Sequence, residues 1–261
     1  MKRIIFILCL LLAQLSAGAR TQGIVTDTRQ TAARNVVVRH EGFTASYNTS
    51  TLCPDWVAWE ITRETTRGDA SREDGEFTAD PLVRGCAESR DYSRSGYDRG
   101  HMCPAADMKW SRKAMAESFY MSNICPQRNG LNAGSWLTLE KFCRWSANRF
   151  SKVWVACGPL YMDGLQVHFI GYEHKVRVPD AFFKVVLKQH TDGTYSAIGF
   201  IMENVEEQEA DFQQFTSLSR HALTVGELER MTGLTFFTFL KDASVKNSYD
   251  LRHWGLMQRK R

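Results

Sequence analysis

Short apolar runs separated by polar turns dominate the chain from residue 36 onward. Residues 43–48 and 56–62 are rich in aromatic and β-branched side chains, which is typical of β-strands. Four later segments share this character: residues 153–157, 176–178, 182–187 and 195–202. The pattern therefore predicts a sheet built from strands spread along most of the chain.

Two segments have helical periodicity instead. Between residues 132 and 150 the apolar positions follow helical spacing, and residues 225–231 do the same, with Thr224 as a cap and Gly233 as a stop. Helices that cover a sheet of this kind predict an α+β fold, a single domain with mixed or antiparallel sheets flanked by helices.

The remaining segments define the expected domain limits. Residues 67–99 are charged and lack periodicity, which indicates long loops, and residues 20–35 are polar and expected to be flexible. The chain ends in a basic sequence, so we expect residues 246–261 to form a tail. The folded domain is then predicted over residues 36–245.

The first 19 residues have the pattern of a signal peptide. Lys2 and Arg3 precede a short apolar run, and Ala17 to Ala19 fits a small-residue cleavage site. The run is shorter than the roughly 20 apolar residues that span a bilayer. This pattern predicts a secreted or periplasmic protein with no stable membrane association.

Composition adds little until the cysteines are considered. An apolar fraction of 43% and a charged fraction of 24% are ordinary for a globular protein, and a net charge of +4 does not by itself predict a polyanionic partner. Beyond Cys9, six cysteines follow in the exported part. An even number suits disulfides in an oxidising compartment, although buried free thiols stay open and the spacing does not fix the pairing.

One group of polar residues carries the chemistry. His101 follows Arg99 and Gly100, and Asn132 and Glu140 lie in or before the longer predicted helix. A neutral histidine suits proton abstraction, and a guanidinium such as Arg99 can clamp phosphate oxygens. The amide oxygen of Asn132 is a hard, neutral ligand that suits Mg²⁺ better than zinc. Glu140 lies two turns, about 12 Å, further along the helix axis, so an indirect role through water fits it better.

Three motifs together resemble those of the DNA/RNA non-specific endonuclease family. They are Gly-Tyr-Asp-Arg-Gly-His over residues 96–101, Ser-Asn-Ile-Cys-Pro-Gln over residues 122–127, and Asn-Ala-Gly-Ser-Trp-Leu-Thr-Leu-Glu over residues 132–140. The likeness extends over residues 47–240. It implies a ββα-metal active-site motif, with the histidine on a strand and the metal-binding asparagine on the helix that follows.

The resemblance also implies roles for individual residues. His101 would be the general base, Asn132 the one direct protein ligand to Mg²⁺ (Mn²⁺ being able to substitute), and Glu140 would act through a metal-bound water. Asn123 would support this region, and Arg72, Arg99 and Arg128 would bind the substrate. The implied substrate is DNA, RNA or both, cut with little regard for sequence, and a homodimer stays open.

Two other classes of protein stay open from the sequence. One is an exported nucleic-acid-binding or uptake protein whose catalytic site has decayed. The other is a phosphodiesterase of small molecules. Glu140 also has an ordinary structural alternative, an ion pair with Arg144 one turn further along the helix, whereas Asp98 is expected to anchor the loop and Trp136 to be part of the core.

Overall fold

The computed structural model describes residues 21–29, 35–150, 152–206 and 215–257. The segment predicted as a signal peptide, residues 1–19, lies outside these ranges. The strands, numbered in chain order, are β1 Val25–Asp27, β2 Asn35–Arg39, β3 Phe43–Asn48, β4 Cys53–Ile61, β5 Asp98–His101, β6 Ile124–Gln127, β7 Lys152–Leu160, β8 Phe169–Ile170, β9 Val176–Arg177, β10 Ala181–Gln189, β11 Tyr195–Glu203, β12 Ala222–Leu223 and β13 Leu234–Phe236. The helices are α1 Arg112–Glu117, α2 Trp136–Arg149 and α3 Val225–Thr232.

A seven-stranded antiparallel sheet forms the centre of the fold. Its strand order is β12-β11-β10-β7-β4-β3-β2, and each neighbouring pair is antiparallel. Further two-stranded ladders join β1 to β13, β5 to β6 and β8 to β9. The predicted α+β class with antiparallel sheets is confirmed.

Strand β10 shows why the central sheet is covered on both faces. Its side chains alternate between two cores, with Phe182 and Val186 in the larger core and Phe183 and Val185 in the smaller one. A strand buried on both faces is apolar at nearly every position, and this accounts for the continuous run predicted over residues 182–187. The larger core also contains the packing face of α2, where Trp136 lies 5.6 Å from Phe182 between ring centroids.

The helix ends follow local capping chemistry. The Thr224 hydroxyl accepts a hydrogen bond from the Glu227 amide at 3.1 Å, and the Glu227 carboxylate accepts one from the Thr224 amide at 2.7 Å. Gly233 ends α3 with a φ of +68°, which favours glycine. The helix predicted from residue 132 begins as α2 at Trp136, because Leu131–Ser135 forms a wider helical turn before it.

A buried ionic network fixes the long segment between β4 and β5. The His40 ring donates from Nε2 to the Asp80 carboxylate at 2.8 Å, and its Nδ1 lies 3.9 Å from Glu117. Ser122 donates to the same Asp80 oxygen. Most of residues 67–99 is irregular as predicted, apart from two short helical turns and the start of β5. The network holds this segment against the sheet.

The ends of the domain differ from the prediction. Within the segment expected to be flexible, residues 25–27 pair with β13, and Ile24 is fully buried. Within the segment expected to be a tail, Trp254 and Leu256 are buried in the larger core. Apolar side chains in these short segments complete the two cores, and the polar composition around them hid that role.

The predicted disulfides are absent. The six cysteines of the described residues are free thiols, and all six are buried. Cys103 and Cys125, for example, are each fully buried in the larger core. These side chains act as small apolar groups in the packing.

Within the described residues, no helix has both the length and the apolar character needed to cross a bilayer.

We predict that Trp254→Ala lowers the free energy of unfolding by about 3–5 kcal/mol, because it removes a large side chain from a packed core. The ring lies 5.9 Å from Phe142 between centroids, and the Lys188 ammonium lies 4.0 Å from the Trp254 ring. Denaturant unfolding of the variant measures the loss. The exposed neighbour His253→Ala is the control, and an unchanged midpoint for Trp254→Ala would mean that the C-terminal segment is a loose tail after all.

We also predict that the His40 network makes stability depend on pH. Burial alone would lower the pKa of His40, but hydrogen bonds to Asp80 and Glu117 raise it to about 9. A histidine whose pKa is higher in the folded state stabilises the fold fully below its unfolded pKa of about 6.5 and loses that contribution as pH rises through about 9. The loss is on the order of 3 kcal/mol.

Unfolding free energies at pH 6 and pH 10 test this, with His40→Gln as the comparison. The variant should be less stable than the wild type at pH 6, and the two should converge at pH 10. Parallel pH profiles for the two proteins would rule out the ionic role of His40.

Candidate active site

The β5–β6 hairpin and the start of α2 form one compact unit. Gly100 pairs with Cys125 and His101 with Ile124 across the hairpin. Any Cβ added at Gly100 would collide with the side chain of Gln127. The absence of a side chain at Gly100 therefore lets the Gln127 side chain pack closely against the backbone of β5.

Two hydrogen bonds fasten the start of α2 along β5. The Asn132 amide donates from Nδ2 to the Asp98 carboxylate at 2.9 Å, and the Trp136 indole donates to the His101 carbonyl at 3.2 Å. Asn132 and Trp136 are one helical turn apart, and Asp98 and His101 are the two ends of β5. The hydrogen bonds therefore bring Asn132 and His101 onto the same hairpin–helix unit.

The Asp98 carboxylate fixes the direction of the Asn132 amide. The same Oδ2 atom also accepts a hydrogen bond from Asn129 Nδ2 at 2.9 Å. A carboxylate is an acceptor only, so Asn132 must turn its NH₂ group toward Asp98. The Asn132 carbonyl oxygen is then left for a ligand.

His101 is held as a neutral, buried base. Its ring packs against Phe77 and Phe119, at centroid distances of 5.3 and 5.0 Å, and the two phenylalanine rings also contact each other at 5.0 Å. Burial lowers the pKa of His101 to about 3, and the nearby charge of Arg72 acts in the same direction. Its Nε2 atom is buried and lacks a hydrogen-bond partner within the described residues. A buried polar atom of this kind calls for water or a ligand to complete it.

Two of the predicted arginines lie beside this ring. The Arg72 guanidinium is 5.1 Å from the centroid of Phe119, and that of Arg99 is 5.7 Å from the centroid of Phe77. Arg99 is fixed further by donating from Nη2 to the Ser89 carbonyl at 2.6 Å. Each of these positive charges therefore lies over one of the phenylalanines that pack against His101.

Arg128 lies at the opposite end of the hairpin. Its guanidinium stacks on Tyr97, 4.1 Å from the ring centroid, and its backbone amide donates to Asn204 at 2.8 Å. The structure thus separates Arg128 from the cluster of Arg72 and Arg99.

Asn123 has a different place from the one expected of a catalytic residue. It is fully buried, and its amide group is used up by backbone: Oδ1 accepts from the Cys103 amide, and Nδ2 donates to the Cys103 and Ser118 carbonyls, all at 2.8 Å. A side chain with its hydrogen bonds satisfied in the core cannot contact substrate. Asn123 is a positioning residue that holds the chain just after His101.

Glu140 lies partly exposed on α2, and it does not form the ion pair with Arg144 that was its structural alternative. Arg144 donates to Asp107 at 2.8 Å instead. Burial raises the pKa of Glu140 to about 7, while the charges of Lys184 and Arg144 favour its ionised form.

Three features of the site had no clear signal in the sequence. The phenylalanines around His101 come from distant loops, and the orienting role of Asp98 depends on an amide that is 34 residues away. Lys184 is fully buried in β10 with its ammonium 4.0 Å from the Trp136 ring. In the sequence, Lys184 stands out only as a charged residue inside an otherwise apolar strand.

The donor set fits a hard divalent cation. Within the described residues there is no group of three or more His, Cys, Asp or Glu side chains that could hold a metal. The oriented carbonyl oxygen of Asn132 is a hard ligand, and Mg²⁺ retains most of its waters and needs few protein ligands. A site with one amide oxygen suits this ion and would be a poor zinc site.

Comparisons with known proteins identify relatives of the chain. The sequence model of the DNA/RNA non-specific endonuclease family matches residues 20–243. The mitochondrial nuclease EXOG of Mus musculus is 36% identical over 209 residues, which cover 76% of this chain and 56% of the relative. The mitochondrial endonuclease G of Homo sapiens is 34% identical over 206 residues, covering 75% of this chain and 67% of the relative. The chain thus spans little more than half the length of the mouse relative.

These relatives overturn the expected location. Both are named as mitochondrial nucleases, which contradicts the prediction of a secreted or periplasmic protein. That prediction depended on a basic start and a short apolar run, and such a segment does not specify one compartment.

Solved structures agree with the sequence relatives. A chain in the crystal structure of the EndoG/EndoGI complex superposes with a TM-score of 0.72 at 31% identity, covering 78% of this chain and 86% of that chain. This match confirms the ββα-metal fold expected from the motifs. The chain belongs to the DNA/RNA non-specific endonuclease family.

Proposed function

We propose that this protein is a magnesium-dependent endonuclease that hydrolyses the phosphodiester bonds of DNA, RNA or both with little sequence dependence. The observation that carries the proposal is the pair of hydrogen bonds that fastens Asn132 and Trp136 to the two ends of β5. They put a neutral imidazole and an oriented amide oxygen on one unit, flanked by two arginines.

In this mechanism, His101 accepts a proton at Nε2 from the water that attacks phosphorus. Its lowered pKa keeps the ring neutral at physiological pH, so one ring nitrogen can act as an acceptor. Nε2 is covered in this conformation, and cleavage requires the side chains around it to move aside. Arg72 and Arg99 supply positive charge where the transition state gathers negative charge.

The cation would be held by the Asn132 oxygen, and when bound it supplies charge neutralisation at the phosphate and the leaving oxygen. Mn²⁺ has the same preference for oxygen ligands and should substitute. Glu140 orients water on the cation's side of the site, and Lys184 and Arg144 favour the ionised carboxylate that this role needs.

Weak sequence dependence follows from the kind of groups in the site. Arg72, Arg99 and Arg128 are suited to phosphates, and phosphate contacts carry no direct sequence information. A mechanism that uses water as the nucleophile needs no 2′-hydroxyl, so both DNA and RNA qualify. Homodimer formation stays a prediction, to be tested by light scattering.

We predict that His101→Ala lowers the rate of plasmid and RNA cleavage about 10²–10⁴-fold, because the general base is lost. Purified protein is incubated with each polymer in Mg²⁺, in Mn²⁺ and in EDTA, with His253→Ala as a matched control for an exposed histidine. Cleavage should need the cation and should survive in the control.

Two other outcomes of these assays would indicate a different function. Binding of polymer in EDTA without cleavage in Mg²⁺ would indicate a nucleic-acid-binding protein with an inactive site. Turnover of a small phosphodiester without cleavage of polymers would indicate the small-molecule phosphodiesterase.

We predict that Asp98→Ala weakens Mn²⁺ binding about 10–100-fold, because the freed Asn132 amide can rotate its oxygen away from the cation. Titration calorimetry without substrate measures the affinity directly. Asn129→Ala is the control, since it removes the other donor to Asp98 and leaves Asn132 oriented. Wild-type affinity in Asp98→Ala would show that the carboxylate does not orient the ligand.

A further inference from the structure

The segment between β7 and β10 exposes an unusual share of apolar side chains. Five of them lie within eleven residues, namely Met162, Leu165, Val167, Phe169 and Tyr172, with exposed fractions from 38% to 100%. We call these five the 162–172 patch. Other large exposed apolar residues in the described ranges are scattered singly, which is normal, whereas a contiguous group on a surface marks a binding site.

The aromatic members of the patch are set out on a short hairpin. Phe169 is on β8, which pairs with β9, and Tyr172 is in the turn between them. The Tyr172 side chain is 100% exposed and that of Phe169 is 52% exposed. Two largely exposed rings on a two-stranded element leave flat π-faces open to solvent.

The hairpin is fastened to the segment that positions Arg99. His174 contacts the Asp91 carboxylate through Nδ1 at 2.9 Å, and Arg90 contacts Glu173 at 2.6 Å. Asp91 belongs to the helical turn Ser89–Tyr92, and the Ser89 carbonyl accepts the hydrogen bond from Arg99. The hairpin that carries Phe169 and Tyr172 is therefore attached to the same helical turn that holds Arg99 in place.

The charges around the patch suit an anionic chain. The hairpin carries the exposed Lys175 and the partly exposed Arg177, and Arg94 is exposed in the neighbouring segment. The hairpin's Glu173 is paired with Arg90, and Asp91 with His174. Cations thus stand beside the exposed rings, and the exposed carboxylate of Asp163 lies in the same segment without an ion pair in the described residues.

We propose that the 162–172 patch binds unstacked bases of single-stranded nucleic acid next to the cleavage site. Aromatic side chains stack with any base, and basic side chains follow the backbone, so such a surface is tolerant of sequence. Bases in a duplex are stacked on each other and offer no free face. The patch therefore favours single strands over duplexes. This inference rests on the proposed nuclease function and names the form of substrate that the site prefers.

The test measures binding in EDTA, so that no strand is cut. Fluorescence anisotropy compares an oligodeoxyadenylate of about 12 nucleotides with a duplex of the same length, and each variant is compared with the wild type on the same ligand because the two ligands differ in phosphate content. In the double variant Phe169→Ala/Tyr172→Ala we expect single-strand affinity to fall about 5- to 100-fold and duplex affinity to stay unchanged. Tyr172→Phe retains the ring and should bind like the wild type.

Met231→Ala is the control for loss of an exposed apolar side chain elsewhere, since Met231 is 57% exposed on α3. An unchanged single-strand affinity in the double variant, or an equal loss on both ligands, would overturn the inference. Light scattering tests the alternative that a second copy of the chain covers the patch. If the double variant changes a dimer to a monomer and keeps its single-strand affinity, the patch is an interface between copies.

The plasmid assay separates this inference from the proposed function. Wild-type cleavage in Mg²⁺ together with unaltered binding by the double variant would refute the patch and leave the nuclease assignment in place. Absence of cleavage by the wild type would refute the nuclease assignment whatever the binding data show.

Discussion

The Asp98 carboxylate is the acceptor on which the arrangement of the site depends. It receives the amide hydrogens of Asn129 and Asn132 on one oxygen atom. Because a carboxylate cannot donate, it selects one of the two orientations of each amide, and it does so from the same four-residue strand that carries His101. Strand β5 thus positions both the proposed base, His101, and the proposed metal ligand, Asn132. The Trp136 indole fixes the His101 end of β5 to α2.

A second set of buried polar contacts lies next to the residues that follow β5. The His40–Asp80–Glu117 network is buried, and Ser122 connects it to the backbone next to Asn123. Asn123 in turn holds the carbonyl and amide of Cys103, two residues after His101. Polar groups that are fully satisfied in this way rigidify a core. The irregular segment that carries Arg72 and Phe77 is therefore anchored to the core through Asp80.

Local patterns in the sequence predicted the strands and α3 well, because strand alternation and the Thr224 and Gly233 caps are short-range signals. The motif residues His101, Asn132 and Arg99 were recognisable because their spacing is set by one hairpin and one helix.

The features that the sequence did not predict depend on contacts between segments that are far apart in the chain. Phe77, Phe119 and His101 meet from three segments, Trp254 completes the core from a polar-looking end, and the cysteines pack as apolar groups although their even number suggested cross-links. Nothing in a linear pattern encodes which segments will meet.

The close fit of Gln127 over Gly100 has a consequence for how this hairpin can vary. Any side chain at position 100 would occupy the volume of the Gln127 amide, whose own nitrogen and oxygen are buried without partners in the described residues. A residue larger than glycine at position 100 requires either a shift of the Gln127 side chain or a smaller residue at position 127. The two positions are therefore coupled across the hairpin, and a change at one alters the packing of the other.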